Sequence, residues 1–331
     1  PEREFDKIFK DYRKNSPQMD EGLASLAFKT GQDRFFSNNY QSAIEQFTTY
    51  INEFKNGPNY FEALVFRARS YRELRQFPNA LSDYEAVYST PSSNSFTNVA
   101  LLEAAEIKYE RQEFVASLQL YQTLDQVAGS LQNKVAAKFG IAKNYDAMGD
   151  HKAAINTLRQ ISQDPEVAVY SRTKANVEIG NNQYADGDKV AAKRTFQDVE
   201  KEFKNEAGAE SQYMIGKILF DEGISLKLQA QRLDQQGSTA QADAKILEAK
   251  AKFEEVKQAV IYQSNNYPTF NYWKAKAFLV AADAFYELGN TFQAKGTLES
   301  LVKEDRFPDV QEAARKRLKE IQDLENAANG G

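Results

Sequence analysis

The chain has 331 residues, a formal net charge of −5, 42% hydrophobic residues and no cysteine. Acidic and basic residues are interspersed along the chain, so the sequence indicates neither a nucleic-acid footprint nor a polybasic strip for anionic lipid. The missing cysteine excludes disulfides and cysteine-based zinc sites, and no apolar run reaches the ~18 residues of a membrane-spanning helix. Gly and Pro together number only 24 (16 and 8), so we expect long helices with short turns.

We predict that residues 1–22 are the last part of a preceding repeat. Residues Phe5–Tyr12 read FDKIFKDY, which is typical of the second helix of a truncated helix pair. Because the chain begins at Pro1 rather than Met, we interpret the N-terminus as processed or trimmed. We therefore expect a larger array to precede this chain.

A small residue recurs through the rest of the sequence with nearly constant surroundings. The first four copies are 37 positions apart, and three more follow at wider intervals: Ala43, Ala80, Ser117, Ala154, Ala192, Ala249 and Ala294. Internal periods of this length predict repeated supersecondary units rather than one globular core.

Large apolar residues follow each small one at helical spacing. Four positions on come Phe47, Tyr84, Tyr121, Leu158, Phe196, Phe253 and Leu298. Twelve positions earlier stands another small residue: Gly31, Ala68, Ala105, Ala142, Gly180, Gly216 and Ala282. This pattern predicts two helices per repeat, whose small residues let the backbones approach while the large residues fill the gaps.

These helix pairs resemble tetratricopeptide repeats, and the clearest copy is ALVFRARSYRELRQFPNALSDYEAV at Ala63–Val87. The resemblance implies an all-α fold, an α-solenoid with a right-handed superhelix of about seven helix pairs over residues 23–304. A capping helix is expected over residues 305–325, followed by a disordered tail over 326–331.

More narrowly, the pattern resembles Bacteroidetes-type cell-envelope repeat proteins of Gram-negative bacteria. The phrases that carry this resemblance are NNYQSAIEQFTTYINEF at Asn38–Phe54, DKVAAKRTFQDVEKEF at Asp188–Phe203 and the stretch Asn271–Leu298. The resemblance implies a scaffold of the periplasm or outer membrane that binds proteins or peptides. A cytosolic adaptor of the same repeat family remains the alternative.

In this family the first helix of each pair lines the concave surface of the solenoid. The resemblance therefore implies a partner-binding groove formed by Phe35, Arg69, Arg72, Tyr109, Lys143, Asp146, Tyr184, Lys217, Phe220 and Tyr286. Aromatic side chains at such positions are suited to anchor a peptide. The competing interpretation is that the same aromatics only pack between helices.

The sixth repeat is interrupted, since Gly216 and Ala249 are 33 positions apart where the other repeats have 12. The added residues are helix formers around a break, DQQGST, at Asp234–Thr239. We therefore expect a helical hairpin near residues 220–248 that projects from the array, with Ile224, Leu228, Leu247 and Ala251 facing one another. It would serve as a docking spike for a partner or a second copy, or else be a solvated extension.

The sequence offers no catalytic constellation. His151, the single histidine, occupies a repeat position and is expected to pack or face a turn, and no phosphate-binding loop or nucleophile elbow occurs. We predict no catalytic residue, metal ligand or cofactor. An α/α-toroid carbohydrate-active enzyme, which needs two carboxylates on loops around a pocket, is the less favoured alternative.

Overall fold

The computed structural model describes residues 17–55, 57–90 and 95–329, and over these residues it contains fifteen α-helices and no strand. In chain order they are α1 Pro17–Phe36, α2 Tyr40–Glu53, α3 Tyr60–Glu73, α4 Phe77–Tyr88, α5 Thr97–Glu110, α6 Phe114–Val127, α7 Leu131–Ala147, α8 His151–Ser162, α9 Val169–Ala185, α10 Lys189–Glu202, α11 Glu206–Gln235, α12 Thr239–Asn266, α13 Asn271–Glu287, α14 Thr291–Val302 and α15 Pro308–Asn329. Seven helix pairs followed by one further helix confirm the predicted all-α repeat fold. The first helix of each pair is called the A helix and the second the B helix.

The predicted helix fragment at Phe5–Tyr12 lies outside the described residues. The first A helix begins at Pro17, so the predicted boundary at residue 22 falls inside α1. Proline is favoured in a first helical turn, because the N–H that it lacks has no partner there.

Two positions after the end of each A helix lies a residue with left-handed backbone conformation, in the turn that leads into the B helix. Four of these residues are glycines, as at Gly149 and Gly289, with φ near +79°. In the first three repeats the position carries a side chain instead: Asn38, Arg75 and Gln112, with φ between 56° and 61°. Asn39 and Asp188 then cap the B helices that follow them, because each side-chain oxygen accepts a backbone N–H of the first turn.

The seven small residues are all buried, with 2% or less of their surface exposed. The large residues four positions later, from Phe47 to Leu298, are buried as well. Ser117 replaces the alanine of the other repeats, and its buried hydroxyl is fully hydrogen-bonded. Its Oγ donates to the Ala105 carbonyl at 2.8 Å and accepts from Asn144 Nδ2 at 3.1 Å. The repeat pattern therefore marks the helix–helix core.

The chain divides into two compact units, residues 1–157 and 158–331, and the division falls inside α8. In the N-terminal unit successive helices from α1 to α7 pack against each other, and A helices also touch, as α5 touches α7. In the C-terminal unit successive helices from α9 to α15 pack in the same way, and α11 contacts α9 on one side and α13 on the other. The surface formed by the A helices of a unit is called its A-helix face.

The sixth repeat corrects the predicted register. A Cβ placed on Gly223 would lie 2.5 Å from Phe253 Cε1, as a Cβ on Gly180 would lie 2.7 Å from Phe196 Cε1 one repeat earlier. Gly216, the predicted contact residue, meets only the Ala259 Cβ at an ordinary 3.9 Å. The B helix α12 therefore packs seven residues, about two turns, further along α11 than predicted.

The contacts along this elongated pair also differ from the prediction. Leu228 and Leu247 do not face each other across the hairpin, because they are 50% and 71% exposed. The buried residues are instead Ala230 and Ala242, each seven positions beyond the Gly223–Ala249 level. Small residues at this spacing let the two antiparallel backbones stay close, so no leucine is needed between them.

Helix α15 covers the last repeat and runs past its predicted end. Val310, Ala314 and Ile321 are buried against it. The helix continues to Asn329, so residues 326–329 are helical where a disordered tail was expected. Lys295 of α14 contacts Glu325 at 2.8 Å near this end, and the alanines that follow are strong helix formers.

Candidate functional site

On the A-helix face of the N-terminal unit, the predicted arginines are bound to carboxylates of the next A helix. Arg69 Nε lies 3.0 Å from both carboxylate oxygens of Glu103. Arg72 Nη1 lies 3.0 Å from Glu106, and its other terminal nitrogen donates to Glu110. These two guanidinium groups join α3 to α5.

The same face continues with aromatic and cationic contacts. Lys143 Nζ lies 3.9 Å from the centroid of the Tyr109 ring, a cation–π distance. Asp146 is half-exposed and lies 3.0 Å from His151 Nδ1, so the single histidine faces the turn between α7 and α8. Phe35 is half-buried and packs on Phe66 with ring centroids 5.1 Å apart. The structure thus gives each predicted residue of this unit a partner within the unit.

In the C-terminal unit, Tyr184 forms the centre of a polar cluster. Its hydroxyl donates to Asp221 and accepts from Lys217 Nζ at 2.7 Å. Burial and the neighbouring Asp221 raise the pKa of Tyr184 above its ordinary value. Asp221 also lies 3.6 Å from Lys189, so the cluster ties α9 and α10 to α11.

Phe220 and Tyr286 converge on a cavity of about 390 Å³, called here the C-terminal cavity. Three helices form its walls: α11 contributes Phe220, Asp221 and Ile224, α13 contributes Asp283, Tyr286 and Glu287, and α15 contributes Arg317, Glu320, Ile321 and Leu324. Leu324 is 57% exposed at this site. Tyr184 and Lys217 hold Asp221, so all four predicted residues of this unit meet at or beside the cavity.

Phe220 differs from its predicted surroundings in one respect. Its ring packs on Phe253 of the paired B helix, with centroids 5.5 Å apart. This follows from the shifted register of α11, which brings Phe220 three residues before the close-packed Gly223. One edge of Phe220 therefore supports the core while the other lines the cavity.

The charged groups of the C-terminal cavity form ion pairs, across helices at Asp283 and Glu287 and within α15 at Glu320. Arg317 Nε lies 3.1 Å from Asp283, and its Nη1 lies 2.9 Å from Glu320. Lys227 Nζ lies 2.6 Å from Glu287. Burial raises the pKa of Asp283 to about 6, although Arg317 opposes the shift. The cavity therefore offers apolar wall surface beside ion pairs that are already formed.

Sequence reasoning missed the polar partners of the predicted residues, yet a signal for some of them exists. Arg69 and Glu103 are 34 positions apart, as are Arg72 and Glu106. Asp283 and Arg317 have the same separation. Opposite charges 34 positions apart, slightly fewer than the 37 positions between small residues, thus mark contacts of an A helix with the next A helix or with α15.

In the part of the chain that the structure describes, no group of three or more acidic or histidine side chains is arranged to hold a metal ion. No helix of that part has the length and apolar character that crossing a bilayer demands.

Comparison with known proteins gives matches over parts of the chain. Two family models, both described as tetratricopeptide repeat, match the chain: one over residues 28–95, the other over residues 136–166 and 276–307. No curated protein sequence matches it.

Two crystal structures of such proteins resemble the fold. One is a tetratricopeptide repeat protein from Parabacteroides merdae, with 14% identity and a TM-score of 0.51 over 88% of this chain and 98% of the other. The second is the C-terminal part of a repeat-containing protein from Cytophaga hutchinsonii, with 18% identity and a TM-score of 0.52 over 86% and 97%. At these identities the likeness concerns the fold, and it agrees with the predicted α-solenoid.

Proposed function

We propose that this chain, which is built from tetratricopeptide repeats, is a non-enzymatic scaffold that binds a segment of a partner protein at the C-terminal cavity. Proteins of this fold are generally interaction scaffolds. One observation carries the proposal: Tyr184, Lys217, Phe220 and Tyr286 meet at or beside one cavity of about 390 Å³ on the A-helix face.

Its walls suit an apolar anchor residue. Phe220, Tyr286 and Leu324 supply apolar surface, and burial of a partner side chain there would be favourable at roughly 25 cal/mol per Å². The charged side chains around the cavity are already paired within the chain. They can therefore orient polar groups of the bound segment, and the segment itself need not carry a particular charge. A buried aromatic or aliphatic anchor with a polar rim is the usual organisation of a binding hot spot.

The test begins with selection of peptides that bind the full chain from a random display library. Binding of the strongest peptide is then measured by calorimetry for the wild type, Phe220→Ala and Tyr286→Ala. We expect each variant to weaken binding by about 2 kcal/mol, the typical effect of removing a hot-spot aromatic. A second copy of the chain, added in place of the peptide, tests self-association through the same surface.

Phe292→Ala is the matched control, because Phe292 is an aromatic of α14 that is 89% exposed and does not line the cavity. Its peptide affinity should equal that of the wild type. Circular dichroism melts establish that each variant remains folded. Equal affinities for all four proteins would refute the placement of the binding site.

We further propose that the protein acts in the bacterial periplasm or at the outer membrane. The support is the resemblance of three segments to envelope repeat proteins and the lack of cysteine. A cytosolic adaptor is the second candidate. Fractionation of cells that express the complete native gene, with N-terminal sequencing of the product, distinguishes them: a cleaved signal sequence or lipid-modified N-terminus supports the envelope, and cytosolic recovery of an unprocessed chain contradicts it.

A further inference from the structure

A second cavity, of about 450 Å³, lies in the C-terminal unit where two A helices begin. Its apolar walls come from Val177 of α9, Ala207 of α11 and Phe270, the residue before α13. Tyr170, at the start of α9, also lines it and is 78% exposed. Neither the predicted groove residues nor the C-terminal cavity includes any of these residues, so this is a separate site.

Three carboxylates line this cavity, which we call the glutamate cavity: Glu178 of α9 and Glu206 and Glu210 of α11. Burial raises the pKa of Glu210, although the Asn181 side chain opposes the shift with a hydrogen bond to this carboxylate. The nearby charges of Glu178 and Glu206 add to the increase. The site therefore carries negative charge that the chain does not fully neutralise.

Two lysines limit that charge without cancelling it. Lys174 is in the lining, so three carboxylates face one ammonium group there. Lys276 acts on Glu210 from outside the lining. Its ammonium lies 5.1 to 5.3 Å from the ring centroids of Tyr213, Tyr272 and Trp273, so it is held by aromatic rings. Even with Lys276 counted, the charge balance of the site is negative.

The spacing of the carboxylates argues against a metal ion. Among the described residues no three acidic groups are close enough to share one. A guanidinium group, by contrast, is planar, carries five donors and can reach carboxylates on two sides. The aliphatic stem of an arginine would lie on apolar surface of the kind that Val177, Ala207 and Phe270 provide.

We propose that the glutamate cavity binds the side chain of an arginine, or of a lysine in its place, presented by a partner protein. The stem packs between Val177 and Phe270, and the cationic head reaches Glu210. The proposal extends the proposed function by naming the chemistry of a second contact on the C-terminal unit. Its basis is the combination of an apolar cavity, a lining with three carboxylates and one ammonium group, and the charge complementarity between that lining and a basic residue.

The experiment uses small probes, so it does not depend on knowing the partner. Nα-acetylarginine N-methylamide, its lysine analogue and its norleucine analogue are titrated into the full 15N-labelled chain. Backbone amide shifts of Thr173, Val177 and Ala207 report occupancy of the cavity. A ligand of this size should bind the wild type with a Kd on the order of 1 mM, and the norleucine compound should not bind.

Two variants test the carboxylates. Glu210→Gln should weaken arginine binding by about tenfold, since it replaces a charge-assisted hydrogen bond by a neutral one. Glu206→Gln should weaken arginine binding by a smaller factor. Because Glu206 is exposed, this variant tests the carboxylates even if Glu210→Gln disturbs folding. Glu202→Gln removes the same charge from an exposed residue outside the cavity and should leave the Kd unchanged.

Several results would overturn the proposal. One is equal binding of the norleucine and arginine probes, and another is an unchanged Kd for arginine in Glu210→Gln. A third is that the amide shifts do not saturate with up to about 10 mM arginine probe, tenfold above the expected Kd. Stronger binding of lysine than arginine would keep the site and reassign its preferred residue. Since the peptide experiment depends on Phe220 and Tyr286, failure of either proposal can be recognised separately.

Discussion

Asp283 gives the most direct quantitative test of the C-terminal cavity. Its side chain is 21% exposed, and burial raises its pKa from 3.8 to about 6 despite the contact with Arg317. Because the native pKa exceeds the unfolded one, the native state binds more protons between these values. The free energy of unfolding therefore falls as the pH rises from about 4 to about 6.

The size of the effect follows from the two pKa values. At pH 7 the ionised Asp283 lowers the free energy of unfolding by about 3 kcal/mol relative to a group with no change in pKa. At pH 5 the same calculation gives about half of this value. Lowering the pH from 7 to 5 should therefore stabilise the wild type by about 1 kcal/mol relative to Asp283→Asn, which cannot titrate.

Two measurements check this expectation. The 13Cγ shift of Asp283 should titrate with a midpoint near 6, and urea unfolding at pH 5 and pH 7 should give the difference just derived. Glu287, Glu320 and Arg317 lie near the same carboxyl. They are present in both the wild type and Asp283→Asn. Asp243→Asn, on an exposed part of α12, is the control. A 13Cγ midpoint near 4 would refute the argument from burial.

Three further substitutions test the packing and the turns. Gly223→Ala should destabilise the chain by about 1–3 kcal/mol in urea unfolding, because the added Cβ would clash with the Phe253 ring. In the same experiment Gly296→Ala should stabilise α14 by about 0.5–1 kcal/mol, because a Cβ there would meet no atom within 4 Å. An unchanged stability in Gly223→Ala would contradict the corrected register. Gln112→Gly should raise the free energy of unfolding by about 0.5–1 kcal/mol, since Gln112 has φ of 61° and the equivalent Gly149 has φ of 79°; a lower melting temperature would oppose this.

The helices and their core could be predicted because each rests on local spacing. Ala43 and Phe47 lie four residues apart on one helix face, and the same pair recurs in every repeat. Burial of both at each repeat shows that the pattern records packing. The turn positions were harder to recognise, since Arg75 and Gln112 adopt a conformation that sequence usually marks with glycine.

The register of the sixth repeat could not be predicted for a physical reason. Gly216 and Gly223 are seven residues apart, so both lie on nearly the same face of α11. Each satisfies the rule of a small residue facing the B helix, and only the position of Phe253 in space selects Gly223. The roles of Phe220 and of the hairpin leucines depended on that choice.

The positions of the binding residues could be predicted, but not whether their side chains are already bound within the chain. Contacts between neighbouring A helices decide which of these side chains are available to a partner. Arg69 and Arg72 lie where the family resemblance places a groove, yet Glu103, Glu106 and Glu110 hold them. A partner carboxylate would have to displace these intramolecular carboxylates, which bind without the entropy loss of association.

The A-helix face of the N-terminal unit is therefore poorly suited to clamp an acidic peptide. The C-terminal unit differs, because Phe220 and Tyr286 leave apolar surface open and the glutamate cavity has three carboxylates for one ammonium group in its lining. The most favourable segment for that unit is one with an apolar anchor and a basic residue. Its affinity should fall with added salt only through the basic residue, since the apolar contact is not screened.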